Sequence, residues 1–424
     1  AGQHEGPFVG VTTPETFTKS TPAYFMDKAQ RKYIYDIQGG EDGKKLYDAV
    51  QKAIDKAKLL ADVVIGLGHL GVDPSSSPWT SEEVIAHTSG FDAFIDGHSH
   101  TVMENKQVQD ASGKAVTLTQ TGSYFANVGE MTIAADGTIT TKLIPTHEGM
   151  DAGIAAMQTS WVNTVDDMLG EKIAVGDSDF YVSDPATGKR RIRSAETNLG
   201  DFVADGIYAY FNEIEELHCD IAVMNGGGIR ADVPAGAWSF KTCKMVSPFG
   251  NVACLMSVTG KQIQDALEFA ARFAGSGQEN GGFLHVAGAT YEIHTDIPNT
   301  VQTDDKNVWI GSATGTPRVQ NVKIYDRANG TYVPLDENKT YALAGMNYTL
   351  RNLGDGFAMF DGAELIKDYV SEDYLVMSTY AMTFGGVDAE GLPHLSSANS
   401  VLAEYPGYLL DYENPYGAGR ISIL

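Results

Sequence analysis

Histidines follow two successive predicted strands, where their spacing could bind a metal ion. His98 and His100 stand two residues apart in Gly-His-Ser-His, and His69 follows a glycine after the preceding strand. Side chains two apart share one face of an extended strand, and neutral imidazole is a ligand for Zn, Mn, Fe, Co or Ni ions. The alternative is that these are loop histidines satisfied by hydrogen bonds. Because two such motifs follow two strands, the sequence favours the metal hypothesis.

A second candidate is the stretch Asn225-Gly-Gly-Gly-Ile-Arg230, which follows a predicted buried strand. Glycines let backbone amides approach a ligand closely, and a guanidinium group can bind phosphate or carboxylate with two hydrogen bonds. The stretch has neither the Lys-Ser/Thr ending of a Walker loop nor the G-x-G-x-x-G pattern. Taken alone, a tight turn with a surface arginine explains it equally well.

Aromatic residues beside glycines form a third candidate. Phe249 and Asn251 stand in Ser-Pro-Phe-Gly-Asn, and Tyr348 precedes a loop that contains Asp355. Two rings could hold a flat heterocycle, an acid could accept hydrogen bonds from ribose hydroxyls, and an Asn amide could contact a base edge. Local packing over a turn is the alternative for each loop.

Composition narrows the classes of protein that these residues could serve. The chain has 424 residues with 30 Lys+Arg and 55 Asp+Glu, a formal charge of −25. This size predicts two or three domains, and the negative surface disfavours nucleic acid and anionic lipid as partners. The longest apolar candidate, 61–72, is interrupted by His69 and is shorter than the ~18–20 residues of a membrane span. Three cysteines without a C-x-x-C pattern predict neither a disulfide framework nor a zinc knuckle.

The first third of the chain alternates short apolar runs with amphipathic stretches, which predicts an α/β domain. Buried strands are expected at 8–12, 62–67 and 91–95, with helices at 44–60 and 81–87. Further strands are expected at 116–120, 131–134 and 138–144, the last two as a hairpin. The histidines therefore come at strand ends, where α/β sheets usually build their sites.

A long helix over 150–169, with few apolar anchors, is predicted to separate two domains. The pattern changes after it to a helix from Asn198, a buried strand at 221–224, a helix at 261–273 and a hairpin at 329–330. We expect domains at 1–148 and 173–424, joined by a linker helix at 149–172.

Seven motifs occur in this chain in the order in which they occur in one family. They are Gly-His-Leu-Gly (68–71), Gly-His-Ser-His-Thr (97–101), Arg-x-x-Glu-x-Asn-x-Gly (193–200), Asn-Gly-Gly-Gly-Ile-Arg (225–230), Pro-Phe-Gly-Asn (248–251), Gly-Phe-Leu-His-Val (282–286) and Gly-Asp-Gly-Phe (354–357). On these motifs the chain resembles the bacterial 5′-nucleotidase / 2′,3′-cyclic-nucleotide 2′-phosphodiesterase family. The resemblance implies a calcineurin-like metallophosphoesterase domain followed by an α+β 5′-nucleotidase C-terminal domain that holds the nucleoside.

For the first domain, the resemblance implies two divalent metal ions of the Zn, Mn, Fe or Co class. His69 and His98 would be ligands of one ion and His100 a ligand of the other. In the family, Asp-x-His, Gly-Asp and Gly-Asn-His-Asp/Glu motifs precede the Gly-His-Leu-Gly stretch, and none of the three occurs in residues 1–67 of this sequence. We therefore expect an N-terminally incomplete chain with an incomplete metal site and no identifiable catalytic residue, whose partners include the missing segment.

For the second domain, the resemblance implies a nucleotide site. Arg193 and Arg230 would hold the phosphate or another substrate anion, with Arg191 as a further possibility. Phe249 and Tyr348 would be the two walls around the base, although Tyr348 is one residue out of the family's spacing. The remaining roles would be base-edge contact for Asn225 and Asn251 and ribose binding for Asp355.

The resulting hypothesis is a secreted, periplasmic or cell-surface hydrolase of nucleotide phosphate esters, either a 5′-nucleotidase or a 2′,3′-cyclic nucleotide phosphodiesterase. One alternative is a non-catalytic nucleotide-binding protein with a remnant metal domain. A second alternative keeps the fold but changes the substrate, as in related sulfur-oxidising hydrolases. Base preference, cyclic against linear nucleotide or UDP-sugar, metal identity and oligomeric state are left open by the sequence.

Overall fold

The computed structural model describes residues 7–27, 32–145 and 149–424. The opening residues 1–6 and the predicted domain boundary at residue 148 lie outside the described residues. The chain divides into two compact units. Unit 1 comprises Ala1–Ser20, Phe25–Asp151 and Asp305–Asn307, and unit 2 comprises Thr21–Tyr24, Ala152–Asp304 and Val308–Leu424.

Unit 1 is built on a five-stranded sheet with helices on it, as the alternating pattern predicts. Its strands are β1 (Phe8–Thr12), β2 (Met26–Asp27), β3 (Lys32–Tyr33), β4 (Ile65–His69), β5 (Ala93–Asp96), β6 (Val102–Gln109), β7 (Ala115–Thr121), β8 (Asn127–Ile133) and β9 (Ile139–Pro145). Its helices are α1 (Thr16–Lys19), α2 (Lys44–Lys58) and α3 (Ser81–His87). The sheet order is β1-β4-β5-β7-β6, in which only β6 runs antiparallel to its neighbour. The predicted hairpin is the antiparallel pair β8–β9.

Helices α2 and α3 form where the sequence predicts them, for local reasons, whereas the short helix α1 was not predicted. In α2 the buried residues include Leu46, Val50 and Ile54, whose spacing places them on one face against the sheet. Helix α3 begins at Ser81 because Thr80 caps it and Glu83 completes the capping box.

The first two strands were predicted to be buried, and this is wrong for one face of the first strand and for Leu67 at the end of the second, whereas Val64 and Ile65 of the second are buried. In β1 only Val9 and Val11 are buried, and Phe8 is 59% exposed. Leu67 of β4 is 49% exposed. Since β1 is the edge of the sheet and α2 packs on one face, alternate side chains point away from the core. The polar strand β6, which the sequence analysis missed, is the opposite edge.

Unit 2 is an α+β structure with several sheets. Its strands are β10 (Lys172–Gly176), β11 (Ile221–Asn225), β12 (Gly236–Ser239), β13 (Ala253–Thr259), β14 (Leu284–Ala287), β15 (Ala289–Ile293), β16 (Gln302–Thr303), β17 (Trp309–Gly311), β18 (Val319–Asp326), β19 (Thr331–Pro334), β20 (Thr340–Met346), β21 (Glu364–Lys367), β22 (His394–Leu395) and β23 (Ile421–Ile423). Its helices are α4 (Ala152–Leu169), α5 (Asn198–Ala209), α6 (Phe240–Val246), α7 (Gly260–Ala270), α8 (Asn347–Leu350) and α9 (Asp373–Met382). The three larger sheets have the orders β14-β11-β20-β13-β21, β19-β18-β15-β23 and β12-β10-β22.

The central strand β11 is buried on both faces, which its unbroken apolar sequence predicts. Ala222 and Met224 belong to the hydrophobic core that contains α5 and α9. Ile221 and Val223 belong to the core that contains α7. Since neighbouring side chains of a strand point to opposite faces, this strand joins two cores and its C-terminal end is held rigidly.

Helix α4 is the long helix that the sequence predicts, and none of its residues is buried. Apolar side chains such as Ile154 and Trp161 are 63% and 65% exposed. Among the helices of the described residues, none combines the length and the hydropathy that crossing a bilayer requires.

Candidate functional site

Unit 1 brings two of the predicted histidines together at one edge of its sheet. Strands β4 and β5 are parallel neighbours, so their C-terminal ends lie side by side. His69 ends β4, His98 follows β5 by two residues, and their ring centroids are 5.0 Å apart. The third residue, His100, lies with its ring centroid 6.4 Å from that of Tyr124. His98 and His100 both have positive φ angles, 79° and 57°.

A carboxylate that the sequence analysis did not identify lies beside these rings. Glu15 Oε2 lies 2.9 Å from His98 Nε2 and accepts a hydrogen bond of 2.7 Å from the Ser76 hydroxyl. Burial alone would raise the pKa of Glu15, but the contacts with His98 and Ser76 and the charge of Lys19 hold it below the ordinary value. Glu15 is therefore an anionic neighbour of His98.

A second carboxylate stands at the end of β5. Asp96 Oδ1 accepts a hydrogen bond of 2.9 Å from the Leu70 amide, whereas its buried Oδ2 has no hydrogen-bond partner among the described residues. Burial and the neighbouring His98 lower the pKa of His69, against the opposing charge of Asp96. His69 is thus held in the neutral form that binds metals.

These donors fit part of a metal site. Imidazole nitrogens with carboxylate oxygens suit ions of the Zn, Mn, Fe or Co class, and the unpartnered Asp96 oxygen is buried close by. Across the part of the chain that the structure describes, however, no three His, Cys, Asp or Glu side chains form a group that could hold an ion. The metal ligands therefore stay a prediction.

In unit 2, the turn after β11 places Asn225 and Arg230. Residues Gly226–Gly228 form a 3₁₀ turn in which the Gly226 amide donates to the Phe283 carbonyl. A Cβ at Gly226 would lie 2.2 Å from the Ile192 carbonyl oxygen, so only glycine fits this approach of two backbones. The glycines were predicted to allow a close approach to a ligand. The close approach seen at Gly226 is instead to the protein backbone at Ile192, the residue before Arg193.

Asp355 is held in place by the residues that were predicted to share its site. The Asn225 side-chain amide donates to Asp355 Oδ2 at 3.2 Å and to the Gly281 carbonyl at 3.3 Å. The Asp355 backbone amide donates to the Tyr348 hydroxyl at 3.1 Å. Asp355 is 3% exposed and has a φ of 54°, a left-handed conformation that these contacts maintain. Asn225 therefore has a positioning task that the sequence did not indicate, and its base-edge role stays a prediction.

Tyr348 is more buried than an aromatic wall in an open loop would be. Its ring packs over Gly354, where an added Cβ would lie 2.4 Å from the ring. Burial and the charge of Asp355 raise the pKa of Tyr348 well above its ordinary value, so the hydroxyl stays protonated. Phe249, in contrast, is 60% exposed, and the Arg230 guanidinium carbon lies 5.7 Å from its ring centroid.

Asp373 holds the loop that carries Phe249 and Asn251 through hydrogen bonds. The backbone amide of Asn251 donates to Asp373 Oδ2 at 3.2 Å, and the backbone amide of Asp373 donates to the backbone carbonyl of Asn251 at 2.8 Å. Burial raises the pKa of Asp373 to about 6. Asn347 holds the residue that follows Asn251 in the same way, since the backbone amide of Val252 donates to Asn347 Oδ1 at 2.9 Å.

Arg193 links these parts electrostatically. Burial first, and then the charges of Arg190 and Arg230, lower the pKa of Arg193 to about 10, while Glu279 and Asp355 oppose this. The glycine turn packs on this segment, since a Cβ at Gly226 would lie 3.4 Å from the Arg193 Cα, and the charges of Arg230 and Asp355 both act on the Arg193 guanidinium. Segments distant in sequence converge on one region of unit 2.

Arg191 does not belong to this cluster. Its Nε donates to the Glu196 carbonyl at 2.8 Å, and its guanidinium carbon lies 4.9 Å from the Tyr416 ring centroid. The neighbouring Arg190, which the sequence analysis did not consider, lies with its Nη2 2.7 Å from Glu279 Oε2, and its charge acts on Arg193. Neighbouring side chains in this irregular segment point in different directions, which the sequence alone does not reveal.

His285 supports the Arg193 segment from within the core. Its Nε2 donates to the Ile192 carbonyl at 2.8 Å, and its Nδ1 is buried without a hydrogen-bond partner among the described residues. Burial lowers the pKa of His285 to about 4. The ring is therefore neutral at physiological pH.

This burial predicts a pH dependence of stability. Between the ordinary pKa of about 6.5 and the folded value, the unfolded chain binds a proton that the folded chain does not, so stability present above pH ~6.5 is lost as the pH falls. From pH 7.5 to pH 5, this linkage removes roughly 2 kcal/mol of the free energy of unfolding. Over this pH range we expect the free energy of unfolding of His285→Gln to fall by roughly 2 kcal/mol less than that of the wild type, as measured by urea unfolding.

The comparison of the two proteins isolates His285. Asp373 acts in the opposite direction, because its raised pKa makes the folded state bind a proton first as the pH falls, but it is present in both proteins and cancels. Equal pH slopes for wild type and His285→Gln would contradict the assignment.

Several of these residues were missed because their signal is weak in a sequence. Glu15, Asp373 and Glu279 are single acids in an acidic chain, and nothing in their neighbours marks them. Arg190 is the residue before Arg191, which the sequence analysis considered for anion binding. The sequence does not reveal which of these two adjacent side chains lies beside Glu279.

Comparison with known proteins identifies the second half of the chain. Residues 174–362 match the family model described as 5′-nucleotidase, C-terminal domain. The trifunctional nucleotide phosphoesterase protein YfkN of Bacillus subtilis (strain 168) is 29% identical over 388 residues, which cover 89% of this chain and 23% of that protein. The 5′-nucleotidase of Rattus norvegicus is 24% identical over 396 residues, which cover 86% of this chain and 64% of that protein. The chain thus spans less than two thirds of these relatives.

Solved structures share the fold. The 5′-nucleotidase precursor of Thermus thermophilus superposes with a TM-score of 0.70 at 22% identity, covering 99% of this chain and 73% of that one. The sulfate thiohydrolase SoxB of the same species superposes with a TM-score of 0.63 at 15% identity, covering 100% of this chain and 64% of that one. The resemblance found in the sequence and the predicted fold class are both confirmed.

Proposed function

We propose that the chain is a 5′-nucleotidase-like enzyme, because residues 174–362 match the 5′-nucleotidase C-terminal domain model. It would bind a nucleoside phosphate in unit 2 and hydrolyse the phosphate ester with divalent metal ions. The observation that carries this proposal is the convergence on Arg193. Its charge interacts with Arg230 and Asp355, Arg230 lies by Phe249, and Asp355 is bound to Asn225 and Tyr348. Six residues chosen for one ligand are thus linked, by charge interaction at Arg193 and by contacts among the other five.

The phosphate would bind to Arg193 and Arg230. Both side chains carry fixed positive charge at physiological pH, and a guanidinium group matches the geometry of phosphate oxygens. Because Arg193 is largely buried beside two other arginines, an incoming anion relieves repulsion that the folded protein already contains.

The nucleoside would bind beyond the arginines. Phe249 offers an exposed ring on which a base can stack, and Tyr348 is proposed as the other wall. Asp355 is positioned to accept from ribose hydroxyls, because two residues fix its carboxylate and backbone. Asn251 lies beside Phe249 on the loop that Asp373 holds, which supports a contact with the base edge.

Unit 1 would supply part of a two-metal centre through His69, His98 and His100, with Glu15 as an adjacent carboxylate. When bound, such ions lower the pKa of a bridging water and polarise phosphoryl oxygens. The support is the position of His69 and His98 at adjoining strand ends and the chemistry of their donor atoms. A secreted or periplasmic location is proposed from the family resemblance alone.

Calorimetric titration with adenosine tests the nucleoside site directly. We expect binding by the wild type and a loss of about tenfold to a hundredfold in affinity for Phe249→Ala, because base–aromatic stacking contributes roughly 1–3 kcal/mol. Trp161→Ala is the matched control, since Trp161 on α4 is 65% exposed against 60% for Phe249. Equal losses in the two variants, or no adenosine binding at all, would overturn the nucleoside site. Phosphate release from AMP with Mn²⁺, before and after chelation, tests the metal-dependent hydrolysis.

A further inference from the structure

A glutamate lies inside the group of positive charges that is proposed to bind phosphate. Glu279 Oε2 lies 2.7 Å from Arg190 Nη2 and 3.7 Å from Arg193 Nη1. The side chains of Arg193 and Glu279 are only 21% and 26% exposed. One carboxylate oxygen thus faces two guanidinium groups in a partly dehydrated region, where charges interact more strongly than in water.

The contacts of this glutamate are incomplete. Glu279 Oε2 is buried and accepts no hydrogen bond among the described residues, although Arg190 Nη2 is close, because the two groups are not aligned. Arg190 Nε is likewise buried without a hydrogen-bond partner among those residues. Each member of this ion pair thus has a buried polar atom without a hydrogen bond, namely Arg190 Nε and Glu279 Oε2. Leaving buried polar atoms unsatisfied costs free energy. An anionic ligand could therefore give Arg190 a hydrogen bond that Glu279 does not supply.

We propose that Glu279 is an internal counter-ion that the anionic group of the ligand displaces from Arg190 and Arg193, and that it thereby sets how much negative charge the site accepts. This inference rests on the proposed function and concerns the specificity of the same site. In the free protein, Glu279 offsets the repulsion among the three arginines. When a phosphate arrives, the carboxylate competes with it for the same guanidinium groups.

The balance of charges gives the direction of the specificity. Glu279 lies 2.7 Å from Arg190 and 3.7 Å from Arg193, so its negative charge repels any anion that these arginines bind. At a given distance from an ionised Glu279, the dianion of a phosphomonoester is repelled about twice as strongly as a singly charged phosphodiester. Glu279 therefore weakens the binding of dianions more than that of monoanions.

Three ligands that share one nucleoside test this proposal by calorimetry at pH 7.5, where a phosphomonoester is mainly dianionic. They are adenosine, the methyl ester of AMP and AMP, with zero, one and two negative charges. For Glu279→Gln we expect AMP to bind about tenfold more tightly and the methyl ester about threefold more tightly, with adenosine unchanged. Glu279→Asp keeps the charge and is expected to change the affinity for AMP by less than about threefold.

Two further variants separate charge from fold. The double variant Arg190→Gln with Glu279→Gln restores the charge balance, so its affinity for AMP should return to near the wild-type value. Glu390→Gln is the matched control, because its side chain is 71% exposed and it lies 3.9 Å from Lys172, outside the cluster; it should change nothing.

The outcomes distinguish this inference from the proposed function. If adenosine does not bind the wild type, the proposed function fails and the inference fails with it. If adenosine binds but Glu279→Gln changes the affinities for adenosine and AMP equally, or changes neither, the nucleoside site stands and the role of Glu279 is overturned. A rise in affinity that is larger for AMP than for its methyl ester, with adenosine unchanged, supports the inference.

Discussion

Replacing Arg193 with Gln is expected to weaken AMP binding about a hundredfold while changing adenosine binding less than about threefold. The loss follows from a charge-assisted hydrogen bond to phosphate, which contributes roughly 1.5–3 kcal/mol. The effect is large here because the Arg193 side chain is only 21% exposed, and this burial also lowers its pKa to about 10. Calorimetric titration of the full chain with both ligands measures the difference.

Arg191→Gln provides the control two residues away. The Arg191 guanidinium points to Tyr416 and to the Glu196 carbonyl, outside the group of charges around Arg193. We expect it to weaken AMP binding less than about threefold, because a charge outside the site acts only through screened, longer-range interaction. Similar losses in both variants would mean that the arginines act through net charge alone, against a specific phosphate contact at Arg193.

Replacing Asp205 with Asn is expected to lower the free energy of unfolding of unit 2 by about 3–5 kcal/mol, because it leaves the buried charge of Arg420 without its partner. Asp205 Oδ2 lies 2.7 Å from Arg420 Nη2, and both side chains are 0% exposed. The two carboxylate oxygens also accept hydrogen bonds from the hydroxyls of Tyr408 and Tyr412, at 2.7 and 2.8 Å. Urea unfolding followed by fluorescence measures the loss.

An exposed ion pair supplies the comparison for Asp205. Lys44 and Asp48 on α2 lie 3.0 Å apart with 70% and 57% of their side chains exposed. Asp48→Asn should cost less than ~0.5 kcal/mol, since water already solvates both charges. A loss below ~1 kcal/mol for Asp205→Asn would show that the network around Arg420 rearranges to satisfy the guanidinium.

The Arg420 network also explains why unit 2 can hold a charged site steadily. Arg420 precedes β23, and its backbone amide and that of Ile421 donate to the Glu196 carboxylate at 2.9 and 2.8 Å. Glu196 belongs to the segment that follows Arg193. The end of the chain is thereby joined to the loop that carries the proposed phosphate contact.

Local pattern was sufficient wherever the cause of a structure is local. The capping box at Thr80 and Glu83 marks the start of α3, and the apolar spacing of Leu46, Val50 and Ile54 marks α2. The ordered motifs were sufficient for the resemblance to 5′-nucleotidases, and two residues that they select, Arg193 and Asp355, interact through their charges in unit 2.

Burial of the strands was beyond the same reasoning, because it depends on where each strand lies in the sheet. An apolar run such as β1 is compatible both with a central strand that is buried on two faces and with an edge strand that is buried on one face. Phe8, exposed at the edge, shows that the second is true here.

The partners of the charged residues were decided by tertiary structure alone. Glu279 meets Arg190, Asp373 holds Asn251, and Glu15 reaches His98, although each pair is far apart in the chain. Hydrogen bonds and ion pairs act over a few ångströms, so they depend on how the chain returns on itself, which spacing along the sequence does not encode. Residue types and motif order therefore name the chemistry that is available, and the packing of the loops determines which side chains share it.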